Sequence, residues 1–341
     1  MLLDQRGTGR STPVTDRTSA RFSDDAALAT YLGHFRADAI VRDAELLRAQ
    51  VADGARWSTL GQSYGGFCTL SYLSLAPEGP AKCLVTGGLP GIAATPLDVY
   101  RRTWPRVVAK NAEHRRRFPG DAAVLDRVRD IIRARDDGDP VRLPGGDPLT
   151  VQRLQAIGGV VGMSYGFAEV HYLLENAFDG ADLSTEFLVE VEERTSHRLQ
   201  PLYAILQEVI YCGRGTASGW SAERVRGELP AASVDAHPLL LTGEMKESWI
   251  FRDEAAMRPF AGAMQTLVRR TDWPDLYDPD VLAHNEVLVG AAVYHDDLYV
   301  DAELSLQTAA EVPHVRAWVT NEYEHDGLRS QAGSSPTCRT W

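Results

Sequence analysis

The sequence predicts an α/β fold, with a mostly parallel sheet and a large, mainly helical insertion. Residues 57–88 read as strand, helix and strand, which is typical of a parallel βαβ unit. Strand-like runs of small and β-branched residues return near the end of the chain, in EVLVGAAVYHDD and HVRAWVTNEYEHDG. Between these two groups of strands the chain reads as a series of helices.

The elements before the insertion follow from residue spacing and turn residues. Residues 2–11, LLDQRGTGRS, read as the end of a strand that enters a glycine-rich turn. Residues 24–53 read as one helix, which Asp24 can cap at its start. The strand-like run WSTL is followed by GQSYGG and by a helix that ends before Pro77, and KCLVTGG is strand-like again.

Residues 91–282 form the predicted insertion, which we name the cap segment, and residues 1–90 and 283–341 form the predicted sheet domain. Helical patterns occur in VYRRTWPRVVAKNAEHRRRF, AAVLDRVRDIIRARDD, FAEVHYLLENAF and PLYAILQEVIYC. A strand-like run, PLLLTG at residues 238–243, interrupts them.

Composition excludes several classes of protein. The net charge of −12 argues against nucleic-acid binding, because no broad basic surface is left to neutralise phosphates. The four cysteines form no C-x-x-C pair, which argues against a zinc site or a disulfide scaffold. The sequence has no signal-peptide pattern and no run of about 18 apolar residues. We therefore expect a cytoplasmic protein with no membrane partner, and the oligomeric state is not predicted.

The pattern G-x-S-x-G occurs twice, around Ser63 and around Ser164. In a nucleophile elbow this pattern needs a strand before the serine, a helix after it, and small neighbours that permit a strained turn. Ser63 has all three. Ser164 lies among helical segments, so its glycines are predicted to serve close packing or a helix break. We predict Ser63 as a nucleophile.

A serine nucleophile needs a histidine base and a carboxylate that orients this histidine. Where a nucleophile elbow is present, the chain order is serine, acid, histidine. His325 lies in the loop after the last strand-like run, where this order requires the histidine. The acid should follow the preceding strand, and there VYHDD offers both Asp296 and Asp297.

These motifs and the stretches around them resemble the prolyl aminopeptidases (proline iminopeptidases) of the α/β-hydrolase fold. The matching stretches, which are spread over nearly all of the chain, are LLDQRGTGRSTP, HFRADAIVRDAE, WSTLGQSYGGFCTLSYLSLAPEG, LVTGGLPG, HYLLENAF, LLLTGEM, VYHDDLYV and WVTNEYEHDGLR. The resemblance implies a serine exopeptidase that removes N-terminal proline from peptides without a metal or another cofactor.

Carried over by position, the resemblance implies a role for each residue of the site. Ser63 would be the nucleophile, Asp297 rather than Asp296 the acid, and His325 the general base and then the general acid. The backbone N–H of Tyr64 would be one oxyanion-hole donor.

An exopeptidase must also recognise a free amine, for which carboxylates are suited. Relatives use cap glutamates, and the candidates here are Glu208 and Glu175, with Glu244 as a third. Each could also be an ordinary carboxylate on a helix face. An aromatic pocket for the pyrrolidine ring could include Phe67, Tyr165, Tyr211 and Trp249.

Two regions depart from the family pattern. Relatives have further strands and an HGGPG-type loop before LLDQRG, and this loop supplies the other oxyanion donor. Neither is found in this sequence, so we expect that the first strands are missing and that Met1 reflects a truncation or a misassigned start codon. The tail SQAGSSPTCRTW also lacks the helical pattern expected after HDGLR. The alternatives are a catalytically impaired remnant, or an esterase or aminopeptidase of other specificity on the same fold.

Overall fold

The computed structural model describes residues 2–135 and 138–330, and its centre is a parallel sheet of four strands in the order β1–β2–β5–β6. Strands β3 and β4 form a separate antiparallel pair inside the cap segment. The strands are β1 Trp57–Gln62, β2 Pro80–Thr86, β3 Phe178–Asp179, β4 Asp182–Leu183, β5 Leu288–Tyr294 and β6 Val315–Thr320. The predicted parallel βαβ unit and the two late strands are confirmed.

The helices divide the chain between the sheet and the cap segment. Before and between the first strands they are α1 Asp25–Leu32, α2 Ala37–Val51 and α3 Tyr64–Leu75. From β2 to β5 they are α4 Pro96–Arg117, α5 Asp121–Ala134, α6 Val151–Gln155, α7 Gly166–Glu175, α8 Thr185–Thr195, α9 Pro201–Leu206, α10 Ser221–Gly227, α11 Ile250–Asp253, α12 Ala261–Leu267 and α13 Pro279–Leu282. The last two are α14 Ala302–Glu311 and α15 Gly327–Ser330.

The register of the sheet brings the carboxyl ends of its strands to one edge. One row of paired residues crosses the sheet from Leu60 to Leu84, Gly290 and Arg316. Because every pair is parallel, the segments that follow β1, β5 and β6 leave the sheet at the same edge. In parallel α/β sheets, ligands bind at this edge.

The helix predicted over residues 24–53 is two helices, α1 and α2, joined by a 3₁₀ turn at Gly33–Phe35. Asp24 does cap α1, since its carboxylate accepts the N–H of Ala27 at 2.8 Å. The break follows from tertiary packing. Phe35 is buried, and the buried Arg36 guanidinium lies 4.4 Å from the Trp273 ring centre, so both residues at the break turn inward against other segments.

Two strand predictions are wrong. Leu2 and Leu3 have irregular backbone, and Leu2 is fully exposed. Residues 239–243 of the PLLLTG run are buried, but the run belongs to no strand, because side chains of the cap segment bond to its backbone groups: the N–H of Leu241 donates to Asn111 Oδ1 at 2.8 Å.

The hydrophobic residues form separate clusters for the sheet and for the cap segment. Leu70, Val85 and Val289 belong to the cluster between the sheet and the helices that pack on it. A larger cluster lies within the cap segment and reaches Leu298 and Tyr299 after β5. A third joins α1 to α12, so the first helix packs on the cap segment rather than on the sheet.

Within the described residues, no helix is both long and apolar enough to cross a membrane. The predicted departure of the C-terminal tail from the family pattern concerns residues that, apart from Ser330 at the end of α15, lie outside the described ranges.

Candidate active site

Ser63 lies in the turn between β1 and α3 with a strained backbone, φ 52° and ψ −124°. Positive φ is unfavourable for a residue with a Cβ, so it persists only where the surroundings enforce it. Here the N–H of Ser63 donates to Thr86 O at the end of β2 (3.0 Å), and the Ser63 carbonyl accepts the N–H of Gly66 (2.8 Å). This geometry is the one that a nucleophile elbow requires.

The glycines around Ser63 differ in what they contribute. A Cβ on Gly61 would lie 2.2 Å from the carbonyl oxygen of Gly65, and a Cβ on Gly66 would lie 2.2 Å from that of Gly88. A Cβ on Gly65 would meet nothing within 4 Å. Close backbone packing therefore explains two of these glycines but not the third.

Tyr64 is the first residue of α3. Its backbone N–H lies in the first helical turn, where N–H groups have no acceptor within the helix. Such a group beside the strained serine is suited to bind a developing oxyanion.

Asp297 and His325 are in direct contact at the carboxyl edge of the sheet. The Asp297 Oδ2 and His325 Nδ1 atoms are 2.7 Å apart, and the two residues are only 1% and 4% exposed. The other oxygen of Asp297 accepts the N–H groups of Tyr299 (2.8 Å) and Val300 (3.0 Å). Asp296, by contrast, is exposed and contacts its neighbour His295. The geometry favours Asp297 of the two acids.

The surroundings of His325 act on its pKa in opposite directions. Burial of the imidazole lowers it, whereas the Asp297 carboxylate raises it through its charge and its hydrogen bond. The net effect raises the pKa of His325 above its ordinary value. Asp297 therefore both orients the ring and stabilises the imidazolium.

Gly87 and Gly88 lie between Ser63 and His325. A Cβ on Gly88 would be 2.2 Å from the Ser63 carbonyl oxygen, and one on Gly87 would be 3.1 Å from His325 Nδ1. Ser63 and His325 thus pack against neighbouring glycines after β2. The hydrogen bonds of the described residues join His325 to Asp297 but do not include one between Ser63 and His325.

A cavity of about 570 Å³ opens beside Ser63. Its walls come from the first residues of the chain, from the elbow and from the cap segment. The residues that line it include Ser63, Phe67, Tyr203, Tyr211, Glu244 and Tyr299.

Glu208, predicted to bind the substrate amine, has a different role in the structure. It is 0% exposed, and its two carboxylate oxygens accept the N–H groups of Ser221 (2.8 Å) and Ala222 (2.7 Å) at the start of α10. Burial raises its pKa to about 7 despite these bonds. Both oxygens are used within the protein, so this prediction needs correction.

Glu175, the second predicted amine ligand, is on the outside of the cap segment. Its side chain is 57% exposed and lies 3.4 Å from His171 Nε2. It does not line the cavity beside Ser63. A helix-face carboxylate, the ordinary alternative, describes it better.

Glu244, the third candidate, does line the cavity. The hydroxyl of Tyr203 donates to its Oε1 atom, and no Lys, Arg or His among the described residues forms an ion pair with it. Burial and the nearby Glu244 charge raise the pKa of Tyr203. Sequence patterns did not rank Glu244 first, because it lies in an irregular segment after the PLLLTG run rather than on a cap helix.

Two of the four predicted aromatic candidates line the cavity. Phe67 and Tyr211 face one another edge to face, with ring centres 5.9 Å apart. Tyr165 is exposed, and Trp249 is buried in the cluster that contains α1 and α12.

Comparison with known proteins identifies the family of this chain. Residues 1–135 match the family model described as alpha/beta hydrolase fold. The chain is 46% identical over 330 residues to Proline iminopeptidase of Aeromonas sobria, covering 96% of this chain and 76% of that protein. It is 31% identical over 342 residues to Proline iminopeptidase aneH of Aspergillus aculeatus, covering 97% of this chain and 75% of that protein. The chain is therefore a hydrolase that belongs to the proline iminopeptidase family of the α/β-hydrolase fold.

Proposed function

We propose that this protein is a serine exopeptidase that releases N-terminal proline from peptides through an acyl-enzyme intermediate. The observation that carries the proposal is one cavity lined both by Ser63 and by Glu244, whose carboxylate accepts the Tyr203 hydroxyl and forms no ion pair with a described residue. Such a cavity can hold a scissile carbonyl and a free amine at the same time.

The chemistry assigned to each residue follows from its surroundings. His325 accepts the proton of Ser63, and the resulting alkoxide attacks the prolyl carbonyl. The Tyr64 N–H stabilises the oxyanion. His325 then gives its proton to the leaving amine as the C–N bond breaks. A water molecule deprotonated by His325 next attacks the acyl carbon, and His325 returns this proton to Ser63 as the ester bond breaks and proline leaves. Asp297 keeps the imidazole in the tautomer that these transfers need.

Recognition of the amine is assigned to Glu244. A prolyl ammonium that reaches this carboxylate gains a charge-assisted hydrogen bond, and a blocked amine leaves the carboxylate without it. Tyr203, whose hydroxyl already bonds to Glu244, limits the positions that the carboxylate can take. Phe67 and Tyr211 offer an apolar surface to the pyrrolidine ring.

Glu244→Gln tests this assignment, with Glu186→Gln on the exposed face of α8 as the matched control. We expect Glu244→Gln to reduce kcat/KM for proline anilide by roughly 10²-fold, mainly through KM, because the charge on one side of the amine contact is lost. The control should leave kcat/KM unchanged. Wild-type protein should be inactive on N-acetyl-proline anilide.

Equal turnover of blocked and free proline anilides, or faster turnover of acetyl esters, would contradict the exopeptidase proposal and favour the esterase alternative. Absence of turnover with every substrate would favour the impaired remnant. The cytoplasmic location expected from the sequence stays a prediction.

A further inference from the structure

The loop that carries His325, residues 321–326, is held by the cap segment at successive residues; we name it the histidine loop. We propose that Ser164 and Asp326 position the general base, so that the second G-x-S-x-G motif is a docking turn for this loop. This proposal rests on the proposed function, because it takes His325 as the base that activates Ser63.

The first contact joins Ser164 to Asp326. The Ser164 N–H donates to Asp326 Oδ1 at 3.1 Å, and the Ser164 hydroxyl donates to Oδ2 at 2.7 Å. Asp326 is only 3% exposed, so its charge is removed from water and depends on these donors. The serine therefore satisfies both oxygens of a buried carboxylate that directly follows His325.

The second contact involves His325 itself. Its backbone N–H donates to the carbonyl of Gly162 at 3.1 Å. The N–H of Gly162 in turn donates to the hydroxyl of Tyr299 (3.2 Å), and the Tyr299 ring packs edge to face on the imidazole, with centres 4.8 Å apart. The backbone of His325 thus bonds to Gly162, and its ring packs on Tyr299, which is itself bonded to Gly162.

The glycines of this motif permit the close approach. A Cβ on Gly162 would lie 2.6 Å from Tyr299 Cε2, and one on Gly166 would lie 1.8 Å from the carbonyl oxygen of Val160. The spacing that makes an elbow at Ser63 makes a tight turn here, with Ser164 directed at Asp326.

The third contact precedes His325 in the chain. The ammonium of Lys110, on α4, is paired with the Glu324 carboxylate, and Lys110 is buried. Burial raises the pKa of Glu324, while Lys110 acts to lower it. Glu324, His325 and Asp326 are therefore each bonded to the cap segment, from two different elements.

These contacts to the histidine loop restrict the position of the whole His325 ring, which the contact with Asp297 alone does not do. One hydrogen bond at Nδ1 fixes one atom of the ring, whereas proton transfer to and from Ser63 also needs the opposite nitrogen within a few tenths of an ångström. Displacement of a catalytic group by about 1 Å can cost roughly 10²-fold in rate. The Asp326 charge also contributes to the raised pKa of His325.

The test uses Ser164→Ala and Ser164→Thr, with Ser184→Ala as the control. Ser184 is also a cap serine, whose hydroxyl accepts the N–H of Phe187 at the start of α8, away from the histidine loop. We expect Ser164→Ala to reduce kcat for proline anilide roughly 10-fold at unchanged KM, because Ser164 does not line the cavity. Ser164→Thr, which keeps the hydroxyl, should restore most of kcat. Ser184→Ala should lower the melting temperature through loss of the helix cap and leave kcat unchanged.

The pH profile of kcat/KM distinguishes the positioning effect of Ser164 from the charge effect of Asp326. Ser164→Ala should lower the plateau of the kcat/KM profile without moving its acid limb. Asp326→Asn removes a negative charge near His325, so it should lower the plateau and also move the acid limb to lower pH. If Asp326→Asn does not fold, Ser164→Ala alone still decides, because its backbone N–H bond to Asp326 remains.

Wild-type kcat in Ser164→Ala would overturn the positioning proposal, as would a kcat loss of the same size in Ser184→Ala. His325→Ala distinguishes the two levels of the argument. If His325→Ala retains activity, the proposed function fails; if it is inactive while Ser164→Ala is normal, only the positioning proposal fails.

Discussion

The two G-x-S-x-G motifs of this chain have the same sequence pattern but lie in different structural settings. Ser63 lies between a strand and a helix with a φ of 52°, held by backbone bonds to β2 and by glycines that allow backbones to touch. Ser164 lies between a 3₁₀ segment and α7, and its hydroxyl is bonded to the buried Asp326. The first presents a serine to the cavity, and the second uses a serine to hold a loop.

The difference shows that the pattern itself specifies only small residues around a serine. The strand before Ser63 supplies the direction from which the chain enters the turn, and the parallel neighbour β2 supplies the acceptor that holds the strained residue. Around Ser164, where no strand precedes the motif, the same residue pattern forms a turn of the cap segment. The structural role of the motif therefore depends on the element that precedes it.

The largest expected effect on turnover comes from replacing Ser63 with alanine, and it is compared with the same replacement at Ser164. Ser63→Ala should reduce proline anilide turnover on the order of 10⁵-fold, because the nucleophile is lost. Ser164→Ala should cost only the roughly 10-fold expected for a positioning residue. Initial rates at saturating substrate, with thermal melting as the check on folding, measure both. Equal losses in the two folded variants would break the comparison.

The next effect concerns the histidine that both motifs serve. Asp297→Asn should reduce kcat about 10⁴-fold, because the imidazole loses its tautomer control. In wild-type protein the pKa of His325 is raised above 6.5, and the neutral ring is the base, so kcat/KM should rise with pH through that raised value. In the variant the Asp297 carboxylate no longer offsets the burial of the ring, so the pKa of His325 falls and the acid limb should move to lower pH. An unchanged acid limb would contradict the assignment of Asp297.

The smallest effects distinguish glycines within the first motif. Gly61→Ala should destabilise the fold by about 3 kcal/mol or more, because its Cβ would meet the backbone of Gly65 at 2.2 Å. Gly65→Ala should change stability by less than about 1 kcal/mol and slightly favour α3, because open space surrounds the new methyl group. Chemical denaturation of both variants measures the difference. Similar midpoints would show that the elbow does not depend on close packing at Gly61.

The regular elements of the fold were largely predictable, because each depends on residues near in sequence. The period-2 and small-residue runs of β1, β2, β5 and β6, and the apolar spacing of α4 and α5, are local signals. The predictions failed where packing between distant segments decides. PLLLTG is buried like a strand but bonds to cap side chains, and the helix over residues 24–53 breaks where Phe35 and Arg36 turn inward.

The candidate site divides in the same way. Ser63 and His325 follow from a motif and from chain order, and they lie after β1 and β6 at the carboxyl edge of the sheet, while their catalytic roles stay proposals. The amine site did not follow, because a glutamate of the cap segment gives the same sequence signal whether it faces a cavity, a helix start or solvent. Glu244, Glu208 and Glu175 occupy these three situations respectively.

By itself, the sequence determined the α/β architecture, the family and which serine lies on the elbow, because strand, turn and helix signals act over a few residues. Only the tertiary structure decided which glutamate faces the cavity and what the second motif contacts, because those outcomes depend on segments more than a hundred residues apart in the chain. The hydrogen bond between Ser164 and Asp326 joins positions 162 residues apart, and a local sequence pattern cannot predict a contact over that separation.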